Sequence, residues 1–313
     1  MTGPDGGCHS YVALFDGAAY WVIQGFDVTR TRWGAVLANN ATAHDIRIAG
    51  NHFHHIGNRF ESSPYGIVGF YSNALNHDLV FDGNVFNDIG RTGGLPYPNH
   101  DHGIYSHATN VIVANNVFYN LFGGWAIALD GGANWLIANN TFAFPNPART
   151  GQVLLHSVAD SAAATVTNVV IRNNIFYRPS EFAVITYPSV PPRGCTIDHN
   201  LVYGATGLVD RPDWCTASAN VVGKDPLFVN PLTPPYDFHL RSGRAAVGVG
   251  VNLSAIFDHD PDGRARQLPP SPWDLGAYRW PSVLRTGIPL SPLGSAPSRR
   301  DSGGSLLARP RAT

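Results

Sequence analysis

The chain has 313 residues, 44% of them hydrophobic, which is ample for a buried core and excludes disorder of the whole chain. Charged residues make up only 14%, and the net charge is -1, with a single lysine (Lys224) and two glutamates (Glu61, Glu181), so a nucleic-acid or membrane-surface partner is not expected. The 33 glycines and 24 prolines indicate many turns and few helices, and there is no run of eighteen apolar residues. The opening MTGPDGGCHS reads as an internal start, so a signal peptide or a first coil is expected ahead of it.

In chain order, the segments IRIAGNHF, LVFDGNVF, VIVANNVF, LIANNTF, VVIRNNIF and TIDHNLV share one pattern, with an Asn at 51, 84, 116, 140, 174 and 200 and a weaker copy at Asn220. Their spacings are 33, 32, 24, 34, 26 and 20 residues, and WVIQGFDV is a degenerate first copy with Phe26 in the Asn position. Five and three positions before each Asn stand apolar pairs such as Ile46 and Ile48, Val111 and Val113, or Trp135 and Ile137. That is strand alternation. Two positions after the Asn come Phe53, Phe86, Phe118, Phe142 and Phe176, which form a second inward column after a sharp bend. Asn suits such a bend because it tolerates left-handed backbone and can hydrogen-bond to its copy one coil away.

Between the Asn motifs lies a second repeated block: WGAVLA, YGIVGF, HGIYSH, WAIALD, GQVLLH, FAVITY and TGLVDR. Its third positions (Ala35, Ile67, Ile104, Ile127, Val153, Val184, Leu208) face the core. Three short strands per repeat, one tight Asn corner and two corners of variable length describe an all-β, single-stranded, right-handed parallel β-helix of about eight coils, stacked at roughly 4.8 Å. On these motifs, residues 11 to 280 resemble pectate-lyase-like β-helix carbohydrate-active proteins. The closing segments DPLFVNP, DFHLRSGRAAVGVGV, DHDPDGRAR and WDLGAYRW resemble the end of many secreted bacterial β-helix proteins. The expected organisation is therefore a β-helix domain over 1–280, with 225–280 as last coil and cap, and a flexible Pro/Ser/Arg-rich tail over 281–313.

Cys195 and Cys215 each stand five residues before a corner Asn, so they share a column in adjacent coils. A disulfide, implying an oxidising compartment, and two buried free thiols both fit. Cys8 has no visible partner.

The resemblance implies a substrate groove over one sheet, flanked by long variable corners. Here the loops vary on both sides of the second block, so its outer face is the candidate. With the third residue inward, the sixth is outward. That column reads Ala38, Phe70, His107, Asp130, His156, Tyr187 and Arg211, with Tyr105 the polar exception in the fourth-position column beside it. Asp101 shares the outward parity, while Arg59, Glu61, Arg91, Tyr97 and His100 belong to loops that could overhang the groove. His102 is expected in an aromatic stack with Trp33, Tyr65, Trp125 and Phe182, and His52, His54 and His55 at a corner or in a loop.

Lyases and epimerases acting on uronates need a base, a proton donor and a group to neutralise the carboxylate. His107 or His156 serves as base, Tyr105 as donor, Asp130 orients a histidine, and Arg211 or Arg91 contacts the carboxylate. Asp101, Tyr187, Phe70 and Tyr97 complete the substrate contacts. Hydrolysis would draw on Asp130 and Asp101, with Glu181 and Asp210 further off. NHDHGIY also resembles the Asp-Pro-His stretch of mannuronan epimerases, although Asn99, His100 and Asp101 depart from it. The Asp-rich calcium site and paired basic residues of pectate lyases have no recognisable counterpart. The expected activity is thus β-elimination on a uronate-containing polysaccharide by a secreted or periplasmic monomer that requires no cofactor. A hydrolase, an epimerase and a non-catalytic carbohydrate-binding solenoid stay open, as does a divalent cation held by His107, Asp130 and His156.

Overall fold

A computed structural model of the chain describes residues 11–31, 34–38, 41–57, 66, 68–91, 100–144, 152–157, 165–186, 190–243 and 245–280. The described chain winds as a right-handed parallel β-helix, in which each coil contributes one strand to each of three eight-stranded parallel sheets. The first sheet holds strands from Tyr11–Leu14 to Gly207–Val209, the second those from Val22–Gln24 to Thr216–Ser218, and the third those from Asp27–Thr29 to Val221–Val222.

The corner between the second and third sheets repeats one set of contacts down the solenoid. The Asn84 side-chain oxygen accepts from both the backbone NH and the side-chain amide of Asn51, at 3.0 and 3.1 Å. The same pair of bonds joins Asn84 to Asn116, Asn116 to Asn140, Asn140 to Asn174, Asn174 to Asn200, and Asn200 to Asn220. Each of these amides also donates to a backbone carbonyl of the preceding coil, as Asn116 does to Phe81. The left-handed backbone expected of the ladder Asn lies one residue earlier, at Gly25, Gly50, Gly83, Asn115, Asn139, Asn173, His199 and Ala219, with φ from 51 to 75°. The bend and the ladder thus fall to different residues, and Gly or Asn mostly takes the first role because it pays least for positive φ. Inside the corner, Phe53, Phe86, Phe118, Phe142 and Phe176 stack with centroids 4.8, 4.9, 5.1 and 4.8 Å apart.

Cys195 and Cys215 form a disulfide across adjacent coils, with α-carbons 4.7 Å apart. Residues 225–280, expected as a closing cap, lie along the outside of the solenoid instead. Phe228, Phe238 and Leu240, all three from an antiparallel hairpin of Phe228–Asn230 with Asp237–Leu240, pack on Val117, Ile175, Tyr177 and Leu201 of the third sheet. Leu253 and Trp273 pack on Ala138 of the second sheet. Ladder-corner residues hold this segment: the Asn139 amide donates to the Asp274 carbonyl and the Asn173 amide to that of Val251, both through hydrogen bonds to backbone. Among the described residues, the segment packs against two of the three sheets and leaves the outer face of the first to the residues considered next.

Candidate functional site

In the first sheet, Ile104 pairs with Ile127, Ile127 with Val153, and Val153 with Val184, which puts these buried residues inward as expected. Asp130 is then directly opposite His156 on the next strand, and Tyr105 opposite Ala128. These neighbours project from the outer face, where three coils build one hydrogen-bonded group. Tyr105 donates its hydroxyl to Asp130 Oδ2 at 2.7 Å. His156 Nδ1 lies 2.8 Å from Asp130 Oδ1. The His107 ring is 5.1 Å from that of Tyr105, and its charge acts on Asp130. The side chains of His156 and Asp130 are 28% and 20% exposed, so the group is open to a ligand yet partly shielded from water.

The electrostatics follow from that shielding. Burial on its own would raise the Asp130 carboxyl, but the hydrogen bonds from His156 and Tyr105, with the charges of His156 and His107, hold it below the ordinary carboxylate value of 3.8. Burial first, and then the bond to Asp130, push the Tyr105 phenol well above its ordinary 10.0. Asp130 is thus a fixed anion between two donors, and Tyr105 a phenol that keeps its proton. His102 stacks on Trp125 at 5.6 Å between centroids, as expected, and sits 5.2 Å from Tyr105. With Ala128, Leu154, Ile185 and Phe182, the Trp125 and Tyr105 rings form an apolar platform beside the carboxylate.

Several residues expected here are elsewhere. Val68–Ser72 pairs so that Phe70, not Ile67, lies opposite Ile104, a slip of three residues. Since an odd slip exchanges the faces of a strand, Phe70 is 1% exposed in the core, packed edge-on against Phe81. The first strand slips by one, placing Val36 opposite Phe70 and burying Ala38. Val209, not Leu208, pairs with Val184, so Arg211 lies past the strand end with its guanidinium 4.7 Å from the Trp214 ring. Arg91 and Asp101, both with 0% exposed side chains, form a buried pair, Nη2 to Oδ1 at 2.7 Å and Nε to Oδ2 at 3.0 Å. Burial takes both from the groove. Asp210 receives bonds from the backbone and hydroxyl of Thr186. Tyr97, Tyr187, Arg59, Glu61, Trp33, Tyr65, Cys8 and the tail 281–313 lie outside the described residues.

Tyr71 is a site residue that the sequence reading missed. It pairs with Tyr105, with ring centroids 5.7 Å apart, and its burial, then the Asp130 charge, raise its phenol. The shared Gly-x-Tyr-Ser of GFYS and GIYS carried that register. His52, His54 and His55, expected at a corner or in a loop, lie in the strand His52–Ile56 of the third sheet.

No family model matches the chain, and no curated protein matches it. Among solved structures, it is similar to the Streptococcus pneumoniae surface protein and adhesin PfbA, at 12% identity and a TM-score of 0.35, over 67% of this chain. The chain spans 66% of that structure's length. A likeness that low carries no argument about the site. Among the described residues, no helix is long and apolar enough to cross a membrane.

Proposed function

We propose that this protein is a secreted carbohydrate-active enzyme, a pectate-lyase-like polysaccharide lyase that cleaves a uronate-containing polymer by β-elimination over the first sheet. The observation that carries the reading is the Tyr105–Asp130–His156 chain of hydrogen bonds. With Nδ1 held by Asp130, the His156 ring presents Nε2 as its basic atom, and the carboxylate stabilises the imidazolium that proton abstraction creates. The proton α to the uronate carboxylate passes to His156, its electron pair becomes the C4–C5 double bond, and the C4–oxygen bond breaks. Tyr105, protonated at rest, then passes its phenolic proton to the departing oxygen and is reprotonated from solvent. With Arg91 buried and Arg211 turned onto Trp214, the contact to the uronate carboxylate falls to His107 in this reading. The apolar platform suits the apolar face of a sugar ring.

Hydrolysis needs two carboxylates about 5 to 10 Å apart across the bond. Asp101 is committed to Arg91 and Asp210 to Thr186, and of Asp130 and Glu181 only Asp130 belongs to the hydrogen-bonded group, which favours elimination. The Cys195–Cys215 disulfide supports export to an oxidising compartment. The test is to incubate the chain with a panel of uronate polymers and follow the ultraviolet absorbance of the unsaturated product. Absorbance that His156→Ala abolishes supports the lyase. Release of reducing ends without absorbance would assign a hydrolase, epimerised polymer without cleavage an epimerase, and binding without turnover a carbohydrate-binding solenoid.

A further inference from the structure

The outer face of the third sheet carries a second polar cluster near the start of the solenoid. His52 and His54 are two apart on one strand and so project from the same face, and the register puts Asp27 of the preceding coil opposite His52. Both imidazoles aim at one oxygen: His54 Nε2 is 2.8 Å and His52 Nδ1 3.4 Å from Asp27 Oδ1. Among the described residues, these three form a set of His, Cys or acidic side chains whose ligating atoms all lie within 4.8 Å of one another.

The far side of each ring fixes what the near side can do. His52 Nε2 lies 2.6 Å from Asn87 Oδ1, an oxygen that can only accept, so Nε2 carries the hydrogen and Nδ1 presents a lone pair. In the neutral ring that lone pair faces a carboxylate oxygen at 3.4 Å, so either a proton on Nδ1 or a metal ion must lie between the two atoms. The His54 Nδ1 is likewise engaged, 2.7 Å from His55 Nδ1, which leaves Nε2 as its inward atom. Partners of this kind on the outer nitrogens are what orients ligating histidines. In a tetrahedral zinc site, metal–ligand bonds of about 2.0–2.1 Å separate neighbouring ligand atoms by roughly 3.3 Å. The His52–Asp27 separation already has that value, and the His54–Asp27 contact needs to open by about half an ångström.

We propose that Asp27, His52 and His54 bind a divalent transition-metal ion of the zinc class, with water completing the tetrahedron. Two imidazoles with one carboxylate suit zinc and its neighbours rather than calcium or magnesium, which take oxygen ligands. The ion clips the first coil to the second. That coil has Phe26, not Asn, at the ladder corner, so its backbone NH reaches Asn51 without a side-chain amide of its own in the ladder. The site is separate from the Tyr105–Asp130–His156 group on the first sheet and is independent of the proposed lyase reaction.

The test uses the tag-free full chain, stripped of metal, titrated with Zn²⁺ by calorimetry and with Co²⁺ by visible absorption. The expected result is saturable binding, a tetrahedral Co²⁺ spectrum, and a rise in the thermal midpoint with Zn²⁺. Asp27→Asn and His54→Gln should each weaken the binding at least about tenfold. Because all three side chains are partly exposed, the folded variants can be checked by their unchanged midpoints without metal. Asn87→Ala, which leaves all three ligands in place but frees His52 to rotate, should weaken binding less. Absence of Zn²⁺ binding, binding indifferent to Asp27→Asn and His54→Gln, or binding lost instead in a His107→Gln, His156→Gln double variant would each overturn the assignment.

Discussion

The Tyr105 hydroxyl and the His156 imidazole take opposite oxygens of one carboxylate, Asp130, from strands on either side of it. Each oxygen therefore has its own donor, and the three side chains hold one another in orientation without help from a loop. Asp130→Asn removes the charge that stabilises a protonated His156 while keeping the shape. Turnover of the uronate substrate is expected to fall by about 10² or more, the usual weight of a positioned acid–base group, with only a small drop in the thermal midpoint because the group is part-exposed. Steady-state kinetics and a melting curve on the same sample check both halves.

The acid side of the pH dependence follows from the same contacts. Because the folded-state value of Asp130 is depressed, its contribution to stability is present above the unfolded value and is lost only as the pH falls through the lower folded one. Asp130 is expected to stay ionised below pH 3.8, its ordinary value. A carboxyl-carbon NMR titration of wild type against Asp130→Asn reads this directly; a midpoint for Asp130 above that value would contradict the geometry.

The buried Arg91–Asp101 pair makes a contrasting prediction. Asp101→Ala leaves a guanidinium in a region with no exposed side-chain surface at either residue. Removing the carboxylate of a buried pair costs about 3–5 kcal/mol, because the buried guanidinium loses its two-pronged counter-charge. The variant should therefore lose stability in denaturant or thermal melts, and whatever folds should keep its kcat. A loss of turnover at full stability would return Asp101 to the groove.

The corner was legible because Asn and, two positions on, Phe repeat on one spacing, and the structure stacks both. The centre of the site was legible because HGIYSH, WAIALD and GQVLLH can be superposed in one way. YGIVGF can be superposed in two, having Gly66 and Gly69 three residues apart, and the odd difference sent Phe70 to the wrong face. What decides the register is steric: a side chain at Gly69 would come within 2.7 Å of the Gly103 carbonyl, so the two glycines must stack. Strand parity also fails past a strand end, which is why Asp101 and Arg211 were misplaced. His52, His54 and His55 are expected at a corner or in a loop because they follow the Asn51 corner, although Phe53 and Ile56 mark the inward side of a strand.

The ladder itself should show graded costs. Asn116→Ala deprives the buried Asn84 NH of its acceptor and the Phe81 carbonyl of its donor. At about 1–3 kcal/mol for each buried group left unsatisfied, the loss is roughly 2–6 kcal/mol. Asn220→Ala breaks equivalent bonds to Asn200 and Ile197 in the last coil, where the corner is only part-buried and water can substitute. Its cost is expected below about 1 kcal/mol. Parallel denaturant melts of the two variants give the comparison, and equal losses would show that the ladder acts by something other than buried hydrogen bonding.

The segment on the outside of the solenoid has its own titrating lock. His239 lies between two carboxylates, Nδ1 2.6 Å from Asp237 and Nε2 3.0 Å from Asp262. Burial alone would lower its pKa, but the hydrogen bonds and charges of Asp237 and Asp262 outweigh it and push the imidazole up to about 9. Since the folded value is raised above the unfolded 6.5, the stabilisation is complete below pH 6.5 and is lost as the pH rises through about 9. The thermal midpoint is therefore expected to decline between those values, more steeply than in His239→Gln, which has no proton to lose. Hydrogen exchange should place the loosening in the Phe228–Asn230 and Asp237–Leu240 hairpin, because His239 is anchored there and its partner Asp262 ties the hairpin to the chain that follows. A midpoint that declines equally in wild type and His239→Gln would mean that this imidazolium does not hold the segment to itself.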